Sequence, residues 1–226
     1  MPLFLWDWTL VLLIPALLLS LYAQYKVSAT FNKFSEVGSA FGRSGAEAAR
    51  RLLDANGLSH VSIEITGGRL DDHYDPRTKV LRLSQPVGAR SSLAALGVAA
   101  HEVGHAVQDA QEYAPMRIRG AVVPVANLGS SLGIILFIVG IFMAVPALTN
   151  LGIVLFSGMV FFTLVTLPVE FDASRRALVM LRDQGVLAAT EIDGARAVLR
   201  AAALTYVAAA LMAILQLVRL ILISRR

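Results

Sequence analysis

Residues 121–169 read AVVPVANLGSSLGIILFIVGIFMAVPALTNLGIVLFSGMVFFTLVTLPV and contain no Asp, Glu, Lys or Arg. A helix needs about 20 apolar residues to cross the hydrocarbon core of a bilayer, so this run is too long for one crossing and fits two. Pro146, Thr149 and Asn150 supply turn chemistry between them. The predicted spans are 125–145 and 151–169. The reading that follows is a mainly α, polytopic membrane protein. Composition agrees: 56% of the 226 residues are hydrophobic and only 16% are charged, against about 25% charged in an average soluble domain. The mean hydropathy is +0.66.

Two further apolar runs bring the expected total to about four helices. Residues 3–22 carry Trp6, Trp8 and Tyr22 near their ends, where aromatic rings favour the membrane interface. No basic stretch precedes this run and no small-x-small cleavage site follows it, so it reads as a retained anchor, not a signal peptide. Residues 201–223 contain Gln216 and Arg219. That run either spans or packs on the other helices with Arg219 snorkelling to an interface.

Charge places the remainder. Seventeen of the twenty Lys and Arg lie between Lys26 and Arg200, outside the spans. The segments on either side of the central hairpin therefore share one side of the membrane, and the positive-inside rule makes that side cytoplasmic. A net charge of +4 and a pI near 9.8 suit juxtamembrane contact with anionic lipid. No basic patch interleaved with aromatics points to nucleic acid. The absence of Cys excludes a disulfide framework and thiolate metal ligands.

The extramembrane part carries the chemistry. Ser44-Gly45-Ala46-Glu47 is a capping box and Asn56-Gly57 a helix stop. Residues 61–66 and 79–84 alternate as strands around the turn-rich Asp71-Asp72-His73-Tyr74-Asp75-Pro76, which predicts a small hairpin or two-stranded edge. An apolar helix then leads into His101-Glu102-Val103-Gly104-His105. Two histidines four apart on a helix point the same way and can share one metal ion, and the adjacent glutamate can reach a water on it. Leu96, Val98, Ala99, Ala100, Val103, Ala106 and Val107 make the helix apolar nearly all round, hence buried. Burying two imidazoles and a carboxylate is costly unless they are paired or metal-bound.

Catalytic zinc usually takes three protein ligands. His60, His73, Asp109, Glu112, Glu170 and Asp172 are the candidates for the third. Glu170 is favoured: it follows Pro168 at the end of the charge-free run and is read as opening the next helix, 171–183. A carboxylate at a membrane boundary is expensive and usually functional. Asp172 and Ser174 are placed to orient an imidazole by hydrogen bonding. The predicted roles are metal ligation by His101, His105 and Glu170, and general-base catalysis by Glu102. His73 or Tyr74 would stabilise an oxyanion, and strand 80–84 would pair with substrate backbone.

Three motifs carry a family resemblance: Ala99-Ala100-His101-Glu102-Val103-Gly104-His105-Ala106-Val107-Gln108, Asp72-His73-Tyr74-Asp75-Pro76 with Leu81-Arg82-Leu83-Ser84, and Leu167-Pro168-Val169-Glu170-Phe171-Asp172-Ala173-Ser174. In this order they resemble the YugP-type neutral zinc metallopeptidases of bacterial membranes and, more distantly, the HtpX and prenyl-protein membrane proteases. Those more distant relatives carry an Asp four residues after a third-ligand Glu; this chain has Ser174 there, and Asp172 is the alternative for that hydrogen bond. The resemblance implies Zn2+, a bacterial inner membrane, a cytoplasmic-side active site, and peptide-bond hydrolysis in membrane-associated or misfolded proteins. The division expected is an anchor (1–24), a zincin-like α+β interfacial part with the motif helix (25–120), a transmembrane hairpin (121–169), a third-ligand region (170–200) and a C-terminal apolar helix (201–226). The partners expected are a protein or peptide substrate and the lipid bilayer, with the oligomer left open. The competing readings are a non-catalytic metal-binding scaffold or chaperone, and an intramembrane site-2-type protease.

Overall fold

In a computed structural model that describes residues 8–68 and 71–225, the apolar runs form long helices. A 3-10 turn, Trp8–Leu13, leads into α1 (Ile14–Ser35). Then come α2 (Gly45–Ala55), β1 (Ser62–Thr66), β2 (His73–Asp75), β3 (Val80–Ser84), α3 (Gln85–Gly88) and α4 (Leu93–Ala110). α5 (Ala114–Leu128) passes through a π-helical turn, Gly129–Gly133, into α6 (Ile134–Phe142). α7 (Pro146–Asp183) and α8 (Ile192–Ser224) complete the chain. Four helices are long and apolar enough to cross a membrane: Trp8–Ser35, Ala114–Phe142, Pro146–Asp183 and Ile192–Ser224. The protein is a mainly α membrane protein with a small α+β part. The first residues of the expected anchor, 3–7 with Trp6, lie outside the described residues. Its helix continues past Tyr22 to Ser35.

Local chemistry sets the element ends. Ser44 accepts a hydrogen bond from Glu47 N (3.3 Å), and Glu47 accepts one from Ser44 N (2.8 Å), so the capping box is fully formed. Gly57, at φ +73°, turns the chain after α2. Glu191 accepts from Ala188 N and Ala40 N ahead of α8.

Three expectations need correction. The turn between the central spans is residues 143–145, not Pro146–Asn150: Ala144 adopts φ 55° and Val145 N bonds Gly140 O at 2.8 Å. Pro146 opens α7 because the first helical position needs no N–H donor. Second, Glu170 does not start a helix. α7 runs unbroken through Pro168, although an internal proline costs about 3 kcal/mol. Val169, Ala173 and Ala177, all fully buried, supply packing that outweighs it. Third, the sheet has three strands in the order β1-β3-β2. β1 pairs with β3 in parallel (Ser62 opposite Val80), and β2 pairs with β3 antiparallel (His73 opposite Arg82). The hairpin is thus β2–β3, with β2 inside the stretch read as a loop and β3 in the strand read at 79–84. Strand 80–84 is central, with partners on both sides, and offers no edge for substrate backbone.

The chain divides into two compact units. One contains the described residues of Met1–Ala23 with Arg117–Pro168 and Thr205–Arg226. Its hairpin packs through small residues, as apolar solvent demands: a Cβ on Gly152 would sit 2.6 Å from Phe137 N. Phe137, Phe156, Val160, Ala213 and Leu220 form its core. The other unit is Gln24–Met116 with Val169–Leu204. Its core joins α2, the sheet, α4, the second half of α7 and the start of α8 through residues such as Leu52, Leu53, Leu81, Leu96, Val103, Leu181 and Ala195.

One approach in the second unit fixes the site. A Cβ added to Gly104 on α4 would lie 2.6 Å from Ala173 O on α7, and 3.2 Å from its carbonyl carbon. Backbone cannot give way as a flexible side chain can. Gly104→Ala should therefore destabilise by about 1–3 kcal/mol through overpacking. Gly120→Ala, where nothing lies within 4 Å, should be neutral or stabilising by up to about 1 kcal/mol. Thermal unfolding of both variants in detergent checks the contrast.

Candidate metal centre

α4 is capped by Ser92, whose hydroxyl accepts from Ala95 N at 3.2 Å. It is held by Leu96, Ala99, Ala100 and Val103, none of them exposed. His101 and His105 share one face of it. Their Nε2 atoms converge on one oxygen of Glu170: His101 at 3.2 Å and His105 at 3.6 Å. The rings meet edge to face, centroids 4.7 Å apart. All three ligand atoms lie within 4.8 Å of one another, and among the described residues these three form the group able to hold a metal ion.

The donor set suits a cation of zinc's size and charge. Ligands at zinc's bond lengths and tetrahedral angle lie about 3.3 Å apart, close to the two N–O separations here. Glu170 is 2% exposed, and a carboxylate that deep costs several kcal/mol unless positive charge offsets it. Burial pushes the His105 pKa down, but Glu170, Glu102 and Gln108 outweigh that and hold it above its usual value. The field that would keep a proton on His105 equally favours a cation between the three side chains.

Each imidazole is held from behind. Ser174 Oγ lies 3.1 Å from His101 Nδ1, the contact expected of a residue in that place. Asp172 does not touch an imidazole. It accepts from Gln108 Nε2 at 3.0 Å and pairs with Arg175 and Arg176. Gln108, fully buried, places its Oε1 3.0 Å from His105 Nδ1 and donates to Val169 O at 2.8 Å. Sequence reasoning missed Gln108. The available signal was its place one turn after His105, on the same helix face.

Glu102 is 7% exposed, and its charge reaches both His105 and Asp72. Asp72 is pinned by Ser84 N (2.7 Å) and Ser84 Oγ (3.0 Å). Burial, with Glu102 nearby, raises the Asp72 pKa despite those bonds. The remaining sequence candidates serve other partners. Tyr74 is buried and its hydroxyl donates to Asp109 at 2.7 Å; burial and Asp109 push its pKa up. Asp109 also takes Lys79. His73 is exposed on β2 with Nδ1 2.8 Å from Asp71 O. Asp75 closes the β2–β3 turn by accepting from Thr78 Oγ1 (2.8 Å) and Arg77 N (2.9 Å), which lower its pKa to about 2. His60 and Glu112 are exposed, outside the cluster.

Residues 9–225 match the family described as "Putative neutral zinc metallopeptidase". The chain is 48% identical over 212 residues, 94% of each chain, to the "Putative membrane protease YugP" of Bacillus subtilis (strain 168). No solved structure matches it.

The geometry separates two acids. Glu170→Ala should weaken metal binding at least about a hundredfold, since it removes one of the three groups able to hold the ion. Asp109→Ala, one turn beyond His105, should leave binding unchanged and cost about 1–3 kcal/mol by stranding the buried Tyr74 hydroxyl. Chelator competition and thermal unfolding read the two effects.

Proposed function

Because the chain belongs to the family of neutral zinc metallopeptidases, we propose that it is a membrane-embedded, zinc-dependent endopeptidase with His101, His105 and Glu170 as metal ligands and Glu102 as general base. The observation that carries this reading is the convergence of both Nε2 atoms on Glu170 Oε2. Zinc held there would supply Lewis acidity, polarising a peptide carbonyl and making a water more acidic near neutral pH.

The chain's own residues do the rest. Glu102 takes the proton of the attacking water as the new C–O bond forms at the scissile carbonyl. It then delivers that proton to the departing nitrogen as the C–N bond breaks. Burial of Glu102 keeps bulk water from competing for the proton. Ser174 and Gln108 hold the two imidazoles while charge shifts across the site. Substrates are membrane-associated or misfolded proteins. A non-catalytic scaffold needs a metal but no Glu102. A site-2-type protease places its motif within a span, and α4 is not among the four helices long and apolar enough; that favours an interfacial domain.

The catalytic unit faces the cytoplasm of a bacterial inner membrane in this reading. It rests on the Lys and Arg between Lys26 and Arg200, against none in the turn at 143–145.

Glu102→Gln should keep zinc and fold but lose about 10²–10⁴-fold in peptidase rate, the usual worth of general acid–base catalysis. Metal analysis and casein degradation by the purified protein measure the split, and near-normal turnover would remove Glu102 from the mechanism. In this Cys-free chain, Met143→Cys in the exposed turn should react with an impermeant thiol reagent in intact cells, and Asp54→Cys should not. The reverse pattern would put the catalytic unit outside the cytoplasm.

A further inference from the structure

The His105 ring offers a metal ion only the nitrogen that carries no proton. Which nitrogen that is depends on the partner of the other. Gln108 is that partner, and its own orientation is fixed independently of His105. Its amide NH₂ faces two groups that can only accept: the Val169 carbonyl at 2.8 Å and the Asp172 carboxylate at 3.0 Å. Asp172 also accepts from Arg175 and Arg176. Turning the amide over would set an oxygen against both acceptors in a fully buried position. Oε1 must therefore face His105 Nδ1, at 3.0 Å, and can only accept from it. With Nδ1 as the donor to Oε1, Nε2, the nitrogen 3.6 Å from Glu170, is the one left for a metal ion.

We infer that Gln108 is a positioning residue that locks the tautomer of His105 and so selects Nε2 as the atom it gives to the metal. The inference rests on the zinc site proposed above. Gln108 does a second thing with the same amide: it grips α7 at Val169 and Asp172, on either side of Glu170. One buried side chain thus sets the state of the second ligand against the placement of the third. Partners of this kind are commonly worth 10–100-fold in metal affinity.

The test uses full-length protein in detergent, with zinc affinity read by chelator competition. Gln108→Met is nearly isosteric and removes both the acceptor and the donors; binding should weaken about 10–100-fold. The pair Gln108→Glu with Asp172→Asn keeps an acceptor on His105, gives it a donor in the new amide, and leaves the net charge unchanged. It should bind zinc within about threefold of the wild type, as the lock requires only the acceptor. A role as a mere strut predicts the opposite, because the donor to Val169 O is gone. Gln108→Met with wild-type affinity, or the double variant as weak as Gln108→Met, overturns the inference. Ring ¹⁵N shifts of the zinc-loaded, histidine-labelled wild type need no variant to fold: zinc on Nε2 with a proton on Nδ1 of His105 supports the lock, and zinc on Nδ1 overturns it. If His105→Ala binds zinc as tightly as the wild type, the metal site itself is misassigned, a failure distinct from that of Gln108.

Discussion

The approach of α4 to α7 at Gly104 and Ala173 governs this molecule. With 2.6 Å between the Gly104 Cβ direction and the Ala173 carbonyl, there is room for a hydrogen and nothing larger. That distance brings Glu170, three residues before Ala173, under His101 and His105, which straddle Gly104. It also brings Ser174 to His101, and Asp172 and Val169 to Gln108. The polar contacts between the two helices in the site lie beside this close approach. The Gly in His-Glu-Val-Gly-His is thus a packing residue between the two histidines.

Two buried carboxylates in the site, Glu170 and Asp172, each face groups of opposite or complementary character. Glu170 faces two imidazoles. Asp172, almost as buried, is neutralised by Arg175 and Arg176 and linked to the centre through Gln108. Separating one member from such a set strands a charge at a cost of about 3–5 kcal/mol. The network therefore favours a single arrangement of α4 against α7. Outside it, the β2–β3 hairpin is fastened to α4 by Tyr74 and Asp109, and its own turn is closed by Asp75.

Much of this was legible in the sequence because local signals do not depend on the rest of the chain. The capping box at Ser44 and Glu47 formed as its spacing dictates, the apolar runs became long helices, and the two histidines took one helix face. Glu170 was singled out from its place after the charge-free run, and it does lie against both histidines, though the supposed helix start there does not exist. Proline is a local breaker, and at Pro168 tertiary packing overrode it. The parallel pairing of β1 with β3 joins strands separated by another strand, which alternation of side chains cannot reveal. Gln108 was invisible for a related reason. A glutamine one turn past a histidine is unremarkable until Val169 and Asp172, some sixty residues on, give both ends of its amide a partner.

The unit that carries His101, His105 and Glu170 is discontinuous in the chain: Gln24–Met116 and Val169–Leu204, with Arg117–Pro168 between. During synthesis His101, Glu102 and His105 leave the ribosome first. Glu170 follows only when α5, α6 and most of α7 have been made, on the order of several seconds later at ordinary elongation rates. Until then the nascent chain holds His101, Glu102 and His105 without Glu170, and α4 lacks the helix that packs against Gly104. A chain stalled or truncated within the hairpin cannot assemble the centre. The order of the segments thus times the closing of the site to follow the making of the apolar hairpin.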